Sequence, residues 1–301
     1  MSGMFSRERG QIRLGFSAAV IGALSYGINI PFARLAQDGG ITAAQLSFFR
    51  SSGLALVLLI LAVMLGQKIL PPRGSRAGIV LVGFINGVIA LTYLASVSYI
   101  PVALAVVIFY TYPLIVIVAD AIIKQQMPTM LRCCVFVAAF AGIVIAVGPQ
   151  FEQASVTGIM LAGIASVACA ALYLIAARTR TETLGAMVLS QIVIVPMSAC
   201  TMIWLANSFD PSVMASAPLA AFCANIGYSI GFLSIMFAAT RIGSTNLSLA
   251  FLIEPVAGIV SAALVLGQHP GALQWCGVAI ILSALAVDAI ASGRLARGGM
   301  R

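Results

Sequence analysis

The sequence predicts an all-α integral membrane protein with ten transmembrane helices in two five-helix inverted repeats. Three observations carry that expectation. The composition is too apolar for a water-soluble domain, with 61% hydrophobic and 8% charged residues and a mean hydropathy of +1.11. Residues 99–146 recur without a gap as residues 241–288, an offset of 142. The basic residues fall almost entirely on one side once the spans are laid out.

A membrane-crossing helix needs about 20 mainly apolar residues. The stretches 14–33, 44–66, 77–97, 102–123, 131–148, 157–177, 184–206, 217–239, 245–266 and 271–291 meet that length. The first follows a basic flank, as a cleavable leader would. Its apolar run is about 20 residues, against about 7–15 for a leader core, so it is expected to stay as a helix. The connections are short and leave no room for a soluble domain.

In the self-alignment Ile100 pairs with Ile242, Phe109 with Phe251, and Pro113 with Pro255. Ile117 and Val118 pair with Ile259 and Val260; Gln126, Pro128, Leu131 and Cys134 pair with Gln268, Pro270, Leu273 and Cys276. The offset is close to half the chain, which gives units 1–150 and 151–301. Five spans is an odd number, so the second copy enters the membrane from the opposite side. Inverted repeats place a site near the midplane at their interface and support alternating access.

Cytoplasmic loops retain Lys and Arg. With the N-terminus in the cytoplasm, the inner side holds Arg7, Arg9, Arg13, Lys68, Arg73, Arg76, Lys124, Arg132, Arg178, Arg180, Arg241, Arg294, Arg297 and Arg301. Only Arg34 lies in an outer loop, and Arg50 lies within a span. Lys124 and Arg132 have Leu266 and Gln274 as repeat partners, so the outward copy has lost its charges. The net charge of +8 therefore reports topology, with both termini cytoplasmic. The expected partners are the lipid bilayer and a small-molecule substrate, with no nucleic acid.

The six cysteines all fall in spans and read as small packing residues, with no disulfide framework. His269, in an outer loop, is the sole histidine. No metal cluster, P-loop or nucleophile–base pair can be assembled, so no metal, no cofactor and no enzyme activity are expected.

An ionisable side chain within hydrocarbon is costly and marks a candidate site. Glu254 is about nine residues, roughly 14 Å of helix, from the inner end of the ninth span. It shares a helical face with Asn246, Ala250, Ala257 and Ser261. Pro255 and Pro113 each remove a backbone donor and kink their spans. Tyr112 precedes Pro113 where Glu254 precedes Pro255, so the bend itself needs no acid. Glu254 reads either as a carboxyl that binds a substrate amine or cycles a proton, or as a lock beside the kink. Arg50 reads as an anion clamp for a substrate carboxylate or as a packing or gate residue. Asp120 is expected to pair with Lys124 at i,i+4, and Asp288 lies at the inner end of the tenth span. Tyr26, Asn29, Asn86, Tyr93, Tyr110, Tyr112, Tyr173, Asn225 and Tyr228 are candidate lining residues for a central path, or interhelical glue. Gly227 and Gly231 have a spacing suited to close helix packing.

The strings Ala95–Ala105 (ASVSYIPVALA), Ala238–Asn246 (AATRIGSTN), Glu254-Pro255 and Ser25–Asn29 (SYGIN) resemble the drug/metabolite transporter superfamily, EamA type, over nearly the whole chain. One departure is Tyr26, where the family usually carries Trp; the position stays aromatic. The resemblance implies a bacterial inner-membrane secondary transporter that often exports amino acids or similar metabolites. A phosphorylated substrate would need several basic groups, and the spans offer only Arg50. The competing reading is a non-transporting sensor or assembly subunit on the same scaffold.

Overall fold

The computed structural model describes residues 2–148, 155–206 and 211–298. Met1, Arg301 and the expected unit boundary at residue 150 lie outside the described residues, as do the side chains of Arg7, Arg9, Arg294 and Arg297. Eleven helices follow in chain order: α1 (Ser2–Asp38), α2 (Ala43–Met64), α3 (Arg73–Ser96), α4 (Val102–Phe109), α5 (Tyr112–Lys124), α6 (Met130–Val147), α7 (Val156–Ala176), α8 (Leu184–Ala206), α9 (Pro218–Ala250), α10 (Glu254–Leu266) and α11 (Ala272–Gly298). Among the described residues there is no strand, as an all-α membrane protein requires.

Among the described residues, nine helical lengths are long and apolar enough to cross a membrane. One of them, Pro218–Leu266, has 49 residues, about twice what a single crossing needs. It is not one rod. Gly243 has φ 73 and ψ 170, a conformation that is essentially open only to glycine. Its repeat partner is Pro101, which opens α4 after the turn that ends α3. The same connection is thus made by Pro101 in one copy and Gly243 in the other. Divided there, the stretch yields two lengths close to the expected 217–239 and 245–266.

The fourth and ninth spans are each broken part-way, where an unbroken helix with a kink was expected. In the first copy the chain leaves the helix at Tyr110 and Thr111, then restarts at Tyr112. In the second, a 3-10 turn at Phe251–Ile253 precedes the restart at Glu254. Proline lacks an N–H and its ring crowds the carbonyl four residues back. Pro113 and Pro255 therefore fit best at the start of a new helix, and that is where each lies. The 3-10 turn changes the helical phase, so Asn246, Ala250, Glu254, Ala257 and Ser261 do not form the single continuous face expected of one helix.

Helix packing respects the repeat. α1 lies on α9 and α10, and its counterpart α7 lies on α3, α4 and α5. α2 meets α8, and α6 meets α11, as self-matching pairs. Glycines set the closest approaches. A Cβ on Gly231 would sit 2.5 Å from the Tyr26 ring, and one on Gly227 would sit 2.9 Å from Asn29 Cβ. The Gly227/Gly231 spacing thus seats α9 on α1. On the outside of the bundle Leu56, Val57, Val63, Leu264 and Leu273 are exposed, an apolar belt suited to lipid.

A candidate substrate cavity

The two broken spans place two helix N-termini, those of α5 and α10, in the middle of the bundle. A helix N-terminus carries partial positive charge, and discontinuous spans with such ends form the binding sites of many transporters. Here the ends border a cavity of about 880 Å³. Its lining comes from both copies: Tyr26, Asn29 and Ile30 on α1, Ser47, Arg50 and Ser51 on α2, and Asn86, Ile89 and Tyr93 on α3. Phe109, Tyr110 and Tyr112 flank the first break, Cys169 and Tyr173 come from α7, and Tyr228, Phe251 and Glu254 from the last spans.

The cavity is polarised along its length. It runs from the aromatic floor out to Gln268, His269, Pro270 and Gln274, where Gln268 and His269 are exposed. It therefore opens at the His269 end. The opposite end, named here for Lys124, contributes no lining residue. Between the two lie buried apolar residues, among them Val116, Ile117, Leu247 and Leu252.

The floor is a connected aromatic band. Ring centroids are 5.2 Å apart for Tyr93–Phe109, 5.4 Å for Phe109–Tyr112, 5.3 Å for Tyr112–Tyr173, 5.9 Å for Tyr173–Phe251, 6.1 Å for Phe251–Tyr26 and 6.3 Å for Tyr26–Tyr228. These spacings suit edge-to-face packing, so the band crosses from one copy to the other as a rigid wall. Two charges interrupt it. The Glu254 carboxyl lies in the same lining as the Tyr110 hydroxyl and within its electrostatic reach. The Arg50 guanidinium carbon lies 4.9 Å from the Tyr228 ring centroid, a cation–π distance. Arg50 Nε and Asn29 Oδ1 are buried without a hydrogen-bond partner. A buried donor or acceptor left unpaired costs free energy, so these two atoms are suited to a bound group. Tyr26 lies within electrostatic reach of both Arg50 and Glu254.

The cavity gathers Tyr26, Asn29, Arg50, Asn86, Tyr93, Tyr112, Tyr173, Tyr228 and Glu254 of the residues marked in the sequence, together with Tyr110 and Pro255. Asn225, Asn246 and Pro113 are not in its lining. Asn225 accepts a hydrogen bond from Ser229 at 3.2 Å and faces Gly53 of α2. Asn246 donates to the Ile242 carbonyl at 2.8 Å and accepts from Arg132 at 3.1 Å. Pro113 is buried in the packing. Asp120 pairs with Lys124 at 2.6 Å; Arg34 pairs with Asp38 at 3.0 Å on exposed α1. Sequence reasoning passed over Phe109, Phe251, Ser47 and the mouth residues Gln268, His269 and Gln274. Phe109 and Phe251 carried a usable signal, since they are identical at one repeat position.

The family model for the EamA-like transporter family matches residues 13–148 and again 156–287. The chain belongs to the EamA-like transporter family. Each match covers five expected spans, so the two EamA-like segments coincide with the two copies seen in the sequence and in the packing. Transport, not enzymatic catalysis, is what this family does. A solved crystal structure, described only as that of a protein, shares the fold at a TM-score of 0.69. It is 19% identical, over 93% of this chain and 98% of that one. No curated protein matches the sequence.

Proposed function

We propose that this EamA-like protein is a secondary transporter that exports small zwitterionic metabolites, neutral amino acids foremost, across the bacterial inner membrane by alternating access. One observation carries the substrate class: a single cavity holds one carboxyl, Glu254, and one guanidinium, Arg50, with an aromatic band between them. A zwitterion would set its ammonium group on Glu254 and its carboxylate on Arg50. The unpaired Arg50 Nε and Asn29 Oδ1 would complete the hydrogen bonding of those two ends. A hydrogen bond to a charged group is worth about 1.5–3 kcal/mol, so the pair would reject solutes lacking either charge. The apolar part would lie on the tyrosines.

The charge distribution supports ten spans with both termini cytoplasmic, and the repeat supports units 1–150 and 151–301; the His269 end would then face outside. Glu254 would alternate between substrate amine and proton, which couples flux to the proton gradient. The test is flux of a labelled metabolite panel in proteoliposomes, with and without a pH gradient, for the parent and Glu254→Gln. Movement of neutral amino acids that loses its pH response in the variant is the expected result. Equal behaviour of the two proteins would make Glu254 structural. No movement across a broad panel would return the chain to a non-transporting role.

A further inference from the structure

The end opposite the cavity mouth is closed by polar bonds that join the two copies. Asp120, on α5 of the first copy, is buried. Its Oδ2 accepts from Lys124 Nζ at 2.6 Å and from Thr245 Oγ1 at 2.9 Å. Thr245 belongs to the second copy, just beyond the Gly243 break. Arg178, at the end of α7 and also in the second copy, lies 3.8 Å from Oδ1. Arg132 of α6 adds a second tie by donating to Asn246 at 3.1 Å.

The repeat supplies an internal control. At the His269 end, the positions equivalent to Asp120, Lys124, Thr245 and Arg132 are Ala262, Leu266, Ala103 and Gln274. None can form an ion pair, and Ala262 and Gln274 line the open cavity. The ion pair at that end, Arg34–Asp38, lies within α1 and joins no two helices. One backbone plan is thus closed at the end where ionic bonds join the copies and open at the end where they do not. The geometry points to Asp120 as an ionic latch: its bonds to Lys124, Thr245 and Arg178 hold the Lys124 end shut and set the resting state open at the His269 end.

The latch rests on the alternating-access reading but has its own physical signature. The side chains of Lys124 and Arg178 are 56% and 47% exposed, so salt reaches them. The Asp120–Thr245 bond is shielded and crosses between copies, which makes it the better-protected part.

Hydrogen–deuterium exchange on the full chain in lipid nanodiscs tests this for the parent, Asp120→Asn and Thr245→Val. Both variants are expected to exchange faster over residues 114–134 and 241–250. They are expected to exchange more slowly over 94–106 and 262–274, as the mouth closes in return. Loss of a charge-assisted hydrogen bond predicts a shift of about tenfold in the balance between the two ends for Asp120→Asn. Thr245→Val should shift it in the same direction by less. Unchanged exchange in both variants, or faster exchange at the Lys124 end without the reciprocal slowing, would overturn the latch. If Asp120→Asn exchanges faster throughout because it has unfolded, Thr245→Val decides by the same criterion. The measurement needs no substrate: reciprocal exchange in a protein that moves no solute would keep the latch and sink the transport reading.

Discussion

The fourth and ninth spans are two copies of one design with their chemistry in different places. Both restart as a helix beside the cavity, at Tyr112 and at Glu254. Both end in a left-handed residue, Gln125 and Gly267. The first copy has a neutral tyrosine at its restart and the ionic pair Asp120–Lys124 at its far end. The second has a carboxyl at its restart, then Ala262 and Leu266. Backbone architecture is therefore common to the copies, and ionisable groups are where they diverge. A break is needed twice to build a cavity between the halves. A carboxyl at the break is needed once, and a latch is needed at one end only.

The largest expected effect comes from erasing the difference at the break. Glu254→Gln keeps the shape but removes the charge. Binding of a neutral amino acid should weaken about 10- to 100-fold, the loss of one charge-assisted bond. Calorimetric titration of the purified protein measures it. Unchanged affinity would mean that Glu254 differs from Tyr112 for structural reasons alone.

Arg50 sharpens the comparison from the opposite wall, because it belongs to neither broken span. Arg50→Lys retains the charge but loses the planar donor set and part of the stacking on Tyr228. A rise in KM of about 10-fold is expected for carboxylate-bearing substrates. The corresponding amides should be little affected. Equal loss for acid and amide would assign Arg50 to packing.

Tyr112→Phe is expected to do less. The Tyr112 ring packs edge-on against Tyr173 at 5.3 Å between centroids and is 2% exposed. Losing the buried hydroxyl is expected to cost about 1 kcal/mol at most, with the aromatic band intact. A lower midpoint of thermal unfolding with flux retained is the expected outcome. Abolished flux would show that the tyrosine at the first break does the same task as the glutamate at the second.

The repeat and the long apolar helices were legible in the sequence because they follow from hydropathy and counting. The tyrosines and Glu254 were legible as rare polar groups within apolar helices. Which polar groups face the cavity was not. In lipid, a helix face against another helix and one against the bilayer are equally apolar, so periodicity does not separate them. Asn225 and Asn246 show this: each has a helical neighbour, not the cavity, as its partner. The 3-10 turn at Phe251–Ile253 added a second obstacle. It shifts the phase between Asn246 and Glu254, and a face counted through it is not a face. The mouth residues Gln268 and His269 were placed in a loop correctly, but the depth to which the cavity reaches them depends on packing between copies.

The smallest effect tests the backbone that the copies share. Gln125 has φ 52 and Gly267 has φ 64, at equivalent positions. Each caps a helix, α5 or α10, in the left-handed region that disfavours a Cβ. Gln125 nevertheless makes the turn, with its N–H bonded to Ile122 O at 3.2 Å and that of Gln126 to Ala121 O at 3.0 Å. A left-handed residue with a side chain costs about 1–2 kcal/mol, partly offset by the greater freedom that glycine loses on folding. Gln125→Gly should therefore stabilise by roughly 0.5 kcal/mol and Gly267→Gln should destabilise by about 1 kcal/mol. A Cβ on Gly267 meets nothing within 4 Å, so the second change reads backbone strain and not crowding. Opposite signs in unfolding titrations would show that the two caps are one structural element carrying different residues. Equal signs would mean that the copies have diverged in backbone as well as in charge, and the comparison would hold only for the cavity and the latch.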